Sequence, residues 1–303
     1  MEWLCEDRWA CLLKDSPAIN RVHSLPRTTW RRNRSSIDRK AQDLSRLLGC
    51  LRHRYHAIID AQGLAKSALL ARAIGSPVIG HRRPRAREGS HFLHQVACPC
   101  DAEHVIDQQR ALGLPLLGDR HPGGGWVFPL PVWPKAQERM DSWLVDTELE
   151  CFWGLNVGAG WPSKCWPIEN QIAFARMVLE LGHRLLIIWG NTDELRSAEE
   201  IATRVPGTKM APPTELPELA ALLRRCAVLV SGDTGPLHLA RALGTPAIGL
   251  FGPVPARRNG VRGPRWVNLQ APSDPWERRD PRRTRMDRID PLKVCELASD
   301  LAR

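Results

Sequence analysis

Two α/β domains, each carrying a parallel sheet, are the architecture this chain predicts, and three observations point to it. In the second half, short apolar runs at 155–158, 185–190, 227–231 and 247–251 alternate with amphipathic stretches over 168–181, 193–204, 215–225 and 235–243. Strands alternating with helices of that length mean βαβ units and a parallel sheet. The first half carries a reduced version: a strand at 57–60, a helix over 63–74 and a strand at 77–80, with 4–13 and 38–54 as further candidate elements. Between the halves, residues 118–134 hold four Gly and four Pro, a density of chain breakers that marks an interdomain connection. The expected domains are therefore 1–134 and 135–303. The first looks undersized, offering two or three strands against four or five in the second.

Length and composition agree. At about 150 residues per domain, 303 residues make two domains large enough to bury separate cores. Hydrophobic content of 43% and charged content of 25% are globular values, which excludes a disordered or fibrous chain. No apolar run approaches the ~18 residues of a membrane span, and with Glu2, Glu6, Asp7 and Arg8 at the start no signal peptide is expected there. The nine cysteines are scattered and include no Cys-x-x-Cys pair, so neither a disulfide framework nor a zinc site is expected. A soluble, cytoplasmic chain is the expectation.

The net charge is +10, from 43 Lys+Arg against 33 Asp+Glu, and it is patched. Arg27, Arg31, Arg32, Arg34, Arg39 and Lys40 form one cluster, Arg82, Arg83, Arg85 and Arg87 a second, and Arg278, Arg279, Arg282, Arg283, Arg285 and Arg288 a third. Such runs either are solvated surface or attract polyanions: nucleic acid, anionic lipid head groups or phosphorylated sugars. Nucleic acid fits less well, because one Tyr and five Phe provide no basic stretch interleaved with stacking aromatics.

The strongest local pattern runs from Ala227 through Ser231-Gly-Asp233-Thr234-Gly235-Pro-Leu-His238. An apolar strand enters a tight turn, and a helix opens at Pro236, a favoured first position. That puts the turn at the C-terminal end of a parallel strand, where open α/β sheets bind ligands. The amides of Thr234 and Gly235 at a helix N-terminus suit an anion, and His238 on the first turn adds a hydrogen bond. Asp233 can equally be a helix cap. A second loop, Asn156-Val-Gly158-Ala-Gly160-Trp-Pro-Ser163-Lys164-Cys-Trp166-Pro, joins a strand end to a helix and carries one lysine. Glycines let backbone amides approach a ligand and Lys164 supplies a point charge suited to phosphate, although such a lysine is also an ordinary surface residue. Neither a Walker loop nor Gly-x-Gly-x-x-Gly is present, so nicotinamide chemistry loses its main support. In a third loop, Trp189-Gly190-Asn-Thr-Asp193-Glu194, a carboxylate past a strand end suits ribose hydroxyls; it also suits the start of the following helix. In the first half, Asp60-Ala-Gln62-Gly63-Leu-Ala-Lys66-Ser67 shows the same strand, turn and helix, with Asp60, Gln62 and Lys66 either facing a cleft or serving as cap and surface.

Together these motifs, with Leu250-Phe-Gly-Pro253 and Ala86-Arg-Glu88, resemble glycosyltransferase family 9, the bacterial heptosyltransferases of the lipopolysaccharide inner core, and look most like its heptosyltransferase I branch. The resemblance runs over nearly the whole chain. It implies the GT-B fold, two Rossmann-like domains facing a cleft, with ADP-heptose as donor substrate and neither metal nor cofactor. It further implies transfer of heptose, with inversion, to a Kdo sugar of a Kdo-lipid A type acceptor at the inner face of the cytoplasmic membrane, by a monomer that takes no nucleic acid. Carried over by position, Lys164 contacts the donor diphosphate, Asp233, Thr234, Gly235 and His238 hold the diphosphate-sugar end, Glu194 takes the ribose and Thr214 lies near the adenine. Arg31, Arg32, Arg34, Gln62, Lys66, Arg85 and Arg87 then face the anionic acceptor. Family members open with a strand and a Ser-x-x-Gly-Asp loop whose aspartate serves as base. Here Met1-Glu-Trp-Leu-Cys already matches the second strand, so an incomplete first domain without that base is expected, with Asp60 the remaining candidate. A donor-binding but catalytically impaired relative, or a nucleotide-sugar epimerase of the same fold, are the alternatives.

Overall fold

The computed structural model describes residues 1–118, 125–272 and 285–303, so Arg278, Arg279, Arg282 and Arg283 of the third basic cluster lie outside the described residues. The chain divides into two compact units, Met1–Trp126 and Val127–Arg303. The division falls inside the Gly- and Pro-rich segment, ahead of the boundary expected after residue 134. Its place has a visible cause. The Trp126 indole donates to Asp107 at 2.9 Å and its ring lies 4.4 Å from His104, whereas Phe128 sits under the Arg241 guanidinium at 5.4 Å.

The first unit holds five short strands in two separate sheets, more than the two or three expected. Strands β1 (Glu2–Glu6) and β2 (Arg21–Leu25) pair in parallel. Strands β3 (Ile58–Ile59), β4 (Val78–His81) and β5 (Val96–Cys98) form a second parallel sheet in sequential order. The pattern hid β2 because Arg21-Val-His-Ser-Leu alternates only weakly, and β5 because three residues are too few to show a period. Helix Ile37–Leu51 starts at Ser36, whose hydroxyl accepts from Arg39 N at 3.3 Å. Helix Arg27–Arg32, carrying Arg31 and Arg32, is anchored by Asp7, which accepts from Thr28 N at 3.0 Å and Thr29 N at 3.1 Å.

The second unit is a single six-stranded parallel sheet of β6 (Phe152–Asn156), β7 (Leu185–Ile188), β8 (Lys209–Met210), β9 (Cys226–Gly232), β10 (Ala247–Phe251) and β11 (Trp266–Gln270). Their spatial order is β11-β10-β9-β6-β7-β8. The chain therefore winds outward from β6 in one direction through β8, then returns to β9 on the other side and winds the opposite way. That reversal makes the gap between the C-terminal ends of β6 and β9 the topological switch point of a doubly wound sheet. Both faces are covered, so β6, β7 and β10 are buried at every position. Trp153, Leu155, Phe174, Leu185, Ile187, Val228, Val230 and Ile248 share one core. Helices Ile168–Glu180, Thr192–Arg204, Leu216–Arg225 and Gly235–Leu243 lie within a residue or two of their expected bounds. Helix Pro291–Leu301, which sequence periodicity did not single out, completes that core through Val294, Cys295 and Ala298. Helix Pro134–Asp146 begins within the stretch read as a connection and ties to helix Leu216–Arg225 by Arg139–Glu218 and Arg225–Asp141 ion pairs. No helix among the described residues is long and apolar enough to cross a membrane.

Candidate functional site

The switch point gathers side chains from both strand ends. Asn156 closes β6 with its side chain buried, and its Nδ2 reaches Gly158 O and Ser231 Oγ at 3.1 Å each and Thr234 Oγ1 at 3.3 Å. One amide thus ties the loop after β6 to the turn after β9. On that frame Lys164 Nζ donates to Asp233 Oδ2 at 2.6 Å, and His238 Nε2 lies 3.2 Å from Asp233 Oδ1. Lys164 is no ordinary surface lysine: its side chain is 13% exposed and its ammonium lies 4.6 Å from the centre of the Trp161 ring. Asp233 is no helix cap either. Thr234 occupies the cap position of helix Gly235–Leu243 without a side-chain cap bond, and no side chain among the described residues bonds the first-turn amides. Those amides lack intrahelical acceptors and carry the positive end of the helix dipole.

The electrostatics follow from this packing. Burial raises the Asp233 pKa, but the hydrogen bonds and charges of His238 and Lys164 outweigh it and hold the group at about 2. Asp233 is therefore a fixed anion across the physiological range. It orients one ammonium and one imidazole, and neither is locked to the backbone. His238 is 45% exposed, and its imidazole lies beside the open helix end. No group of three or more His, Cys, Asp or Glu suited to a metal occurs among the described residues.

The third loop converges on the first. Glu194 Oε2 accepts from Gly190 N at 2.7 Å, and its carboxyl lies across Gly158 so closely that a β-carbon there would collide with it. Gly158 is needed for that contact. The helix Thr192–Arg204 is capped instead by Asn191, which accepts from Asp193 N and Glu194 N at 3.0 Å each, so Glu194 is not engaged as a cap. Asp193 points outward and pairs with Arg196 at 3.2 Å. Thr214 is half-buried in the segment after β8, which is pinned near Trp189 by the indole donating to Ala211 O at 2.8 Å. No hydrogen bond or ion pair among the described residues links Thr214 to Lys164, Asp233 or Glu194. Sequence reasoning missed Asn156, Trp161 and Asn259, whose Nδ2 donates to Asp233 Oδ2 at 3.3 Å. Asn156 had a signal, its position at the strand end; Asn259 had none.

In the first unit, Asp60 ends β3 and is 4% exposed. Oδ1 accepts from Gln62 N and Gly63 N at 3.1 Å each, and Oδ2 lies 3.2 Å from His94 Nε2. Both oxygens are in use, which favours the turn-forming role over proton removal. Gly63 O in turn accepts from Arg87 N at 3.1 Å and Ser90 Oγ at 3.0 Å. This stitches the Gln62 turn to the basic loop and brings Gln62, Lys66 and Arg87, all exposed, to one edge of the sheet. Arg85 is partly tied down by Ala102 O at 2.9 Å. Arg31, Arg32 and Arg34 are exposed beside the β1–β2 pair. No hydrogen bond or ion pair among the described residues joins them to the Gln62 edge.

Comparison with known proteins settles the family. The model of glycosyltransferase family 9, the heptosyltransferases, matches residues 44–284. The chain belongs to that family. This family 9 enzyme is 29% identical over 273 residues to lipopolysaccharide heptosyltransferase 1 of Pseudomonas aeruginosa, spanning 88% of the chain and 74% of the relative. It is 26% identical over 277 residues to lipopolysaccharide heptosyltransferase 1 of Escherichia coli K12, spanning 90% and 84%. Among solved structures, the family 9 glycosyltransferase of Veillonella parvula has a TM-score of 0.78 at 16% identity, covering 99% of this chain and 88% of that one. Escherichia coli heptosyltransferase WaaC with ADP has a TM-score of 0.77 at 22% identity, covering 99% and 89%. The fold is thus the GT-B heptosyltransferase fold over nearly the whole chain.

Proposed function

We propose that this family 9 glycosyltransferase moves heptose from ADP-heptose onto a Kdo sugar of a Kdo-lipid A type acceptor at the inner face of the cytoplasmic membrane. The observation that carries the donor assignment is the cluster at the switch point: Lys164 and His238, both able to rotate, held by one buried anion next to an uncapped helix N-terminus. Such a site takes a diphosphate. Glu194 is assigned to the ribose, Thr234 and Gly235 to the diphosphate-sugar end, and Thr214 to the neighbourhood of the adenine. The acceptor assignment rests on the relatives named lipopolysaccharide heptosyltransferase 1 and on charge. Arg31, Arg32, Arg34, Lys66 and Arg87 are solvated cations suited to a phosphorylated, anionic glycolipid; Arg85 and Gln62 complete the proposed set.

In the proposed reaction the acceptor hydroxyl oxygen attacks the anomeric carbon of heptose as the bond from that carbon to the β-phosphate oxygen breaks. The anomeric configuration inverts, the hydroxyl proton passes to a base, and ADP leaves with the electron pair. Lys164 and the first-turn amides of helix Gly235–Leu243 stabilise the charge that grows on the departing phosphate. Asp233 is unsuited as the base, because at about 2 its pKa lies far below the working pH. The test is mass spectrometry of Kdo-lipid A incubated with the protein and ADP-heptose. One heptose added per acceptor, with ADP formed in equal amount, is the expected result. ADP-heptose consumed without change in the acceptor refutes the reading, and a rearranged nucleotide sugar points to epimerisation.

A further inference from the structure

Asn259 ends the one-turn helix Ala256–Asn259 in the segment after β10. Its Nδ2 donates to Asp233 Oδ2, the oxygen that also takes Lys164 Nζ. The Arg258 guanidinium donates to Asn259 Oδ1 at 2.8 Å, and that contact decides which end of the amide faces the carboxylate. The Asp233 side chain is only 5% exposed, so its two oxygens depend on protein donors in place of water. Among the described residues they have three: His238 on Oδ1, and Lys164 with Asn259 on Oδ2. A diphosphate arriving at the open helix end competes with Asp233 for the ammonium, because Lys164 is the strongest donor within reach of both. If Lys164 were the sole partner of Oδ2, drawing it away would leave a buried carboxylate oxygen unsatisfied, and that cost would be subtracted from ligand affinity.

We propose that Asn259 is a positioning residue for donor binding: it keeps Asp233 Oδ2 hydrogen-bonded while Lys164 turns to the diphosphate. It acts through Asp233 and does not touch the ligand. A neutral amide suits the task because it satisfies the oxygen without adding a fixed charge that would compete with Lys164 for the carboxylate. The inference rests on Lys164 being a diphosphate ligand.

A double-mutant cycle on the full chain tests it, read by calorimetric ADP affinity and by KM and kcat with ADP-heptose. N259A should weaken ADP binding by about fivefold, one modest hydrogen bond's worth, and raise KM in proportion while kcat stays within about twofold. N259S, whose hydroxyl is too short to reach Asp233, should behave alike. In the K164A background the same N259A change should cost less than about twofold, since no ammonium then leaves Asp233 on binding. Equal losses from N259A in both backgrounds overturn the proposal. So does a lowered thermal midpoint with unchanged ADP affinity, which is what a purely structural residue would give. If K164A binds ADP as the wild type does, the diphosphate reading of Lys164 fails first, and the role of Asn259 fails with it.

Discussion

Asp60 and Asp233 occupy equivalent places, each a buried carboxylate at the C-terminal end of a parallel strand, yet their partners differ in kind. Asp60 is held by two backbone amides and by His94, whose side chain is fully buried; none of these can move without opening the fold. Asp233 is held by an ammonium, an imidazole and a side-chain amide, all on rotatable arms. A carboxylate satisfied by the backbone is scaffold. One satisfied by side-chain donors on rotatable arms is a site, because those donors can exchange a protein anion for a ligand anion. Arg31, Arg32, Arg34, Lys66 and Arg87 of the first unit form a third case, exposed and solvated, suited to a large anionic surface more than to one small ligand.

The comparison is broken most severely by removing each carboxylate. Asp60→Ala should destabilise the Gln62 turn by about 3 kcal/mol, leaving the buried Gly63 amide, the part-buried Gln62 amide and the buried His94 ring nitrogen without their partner. Hydrogen exchange should then show loss of protection over residues 58–81 while residues 152–251 and ADP affinity keep their values. An equal loss of ADP binding would make Asp60 part of the site. Asp233 should show itself through pH. Its folded pKa of about 2 lies below its ordinary 3.8, so its contribution is present above about pH 4 and is lost as pH falls through 2. Converting that shift, wild type should exceed Asp233→Asn by about 2 kcal/mol more at pH 7 than at pH 2 in denaturant unfolding. A difference that does not vary with pH contradicts the ion-pair account.

Finer changes sharpen the contrast. Gly158→Ala places a β-carbon where the Glu194 carboxyl lies, so Glu194 must leave Gly190. The loss of one charge-assisted contact should weaken ADP by about tenfold with little change in thermal midpoint. If adenosine diphosphate binds unchanged, Glu194 has no part in the ribose site. Smallest is the joint neutralisation of Arg31, Arg32 and Arg34. Binding of a Kdo-lipid A mimic should drop a few-fold and its salt dependence flatten, since exposed charges are screened over ~8 Å at physiological ionic strength, while ADP affinity holds.

Much of this was legible beforehand where periodicity is strong. The four strands and helices of 155–251 were readable because their faces are buried continuously, and Lys164, Glu194, Asp233 and His238 stood out as candidates because each follows such a strand. Residues that reach the site from a segment without periodicity were not. Asn259 sits on a single helical turn, and only the sheet order, which brings β10 beside β9, puts it against Asp233. The first unit was undercounted for a related reason: β2 alternates only weakly, and the three residues of β5 leave no alternation to detect. The cap alternative left open for Asp233 could be resolved only by seeing that Thr234 holds the cap position instead; Glu194 lies in the first turn of its helix, as its helix-start reading allowed.

The most direct measurement is calorimetric titration of ADP into the wild-type chain and into Lys164→Ala. The account predicts binding to the wild type and a loss of about 10- to 150-fold in the variant, the value of a charge-assisted hydrogen bond of roughly 1.5–3 kcal/mol, with the fold intact by circular dichroism. Unchanged affinity in a folded Lys164→Ala protein would contradict it and leave the switch point without its diphosphate.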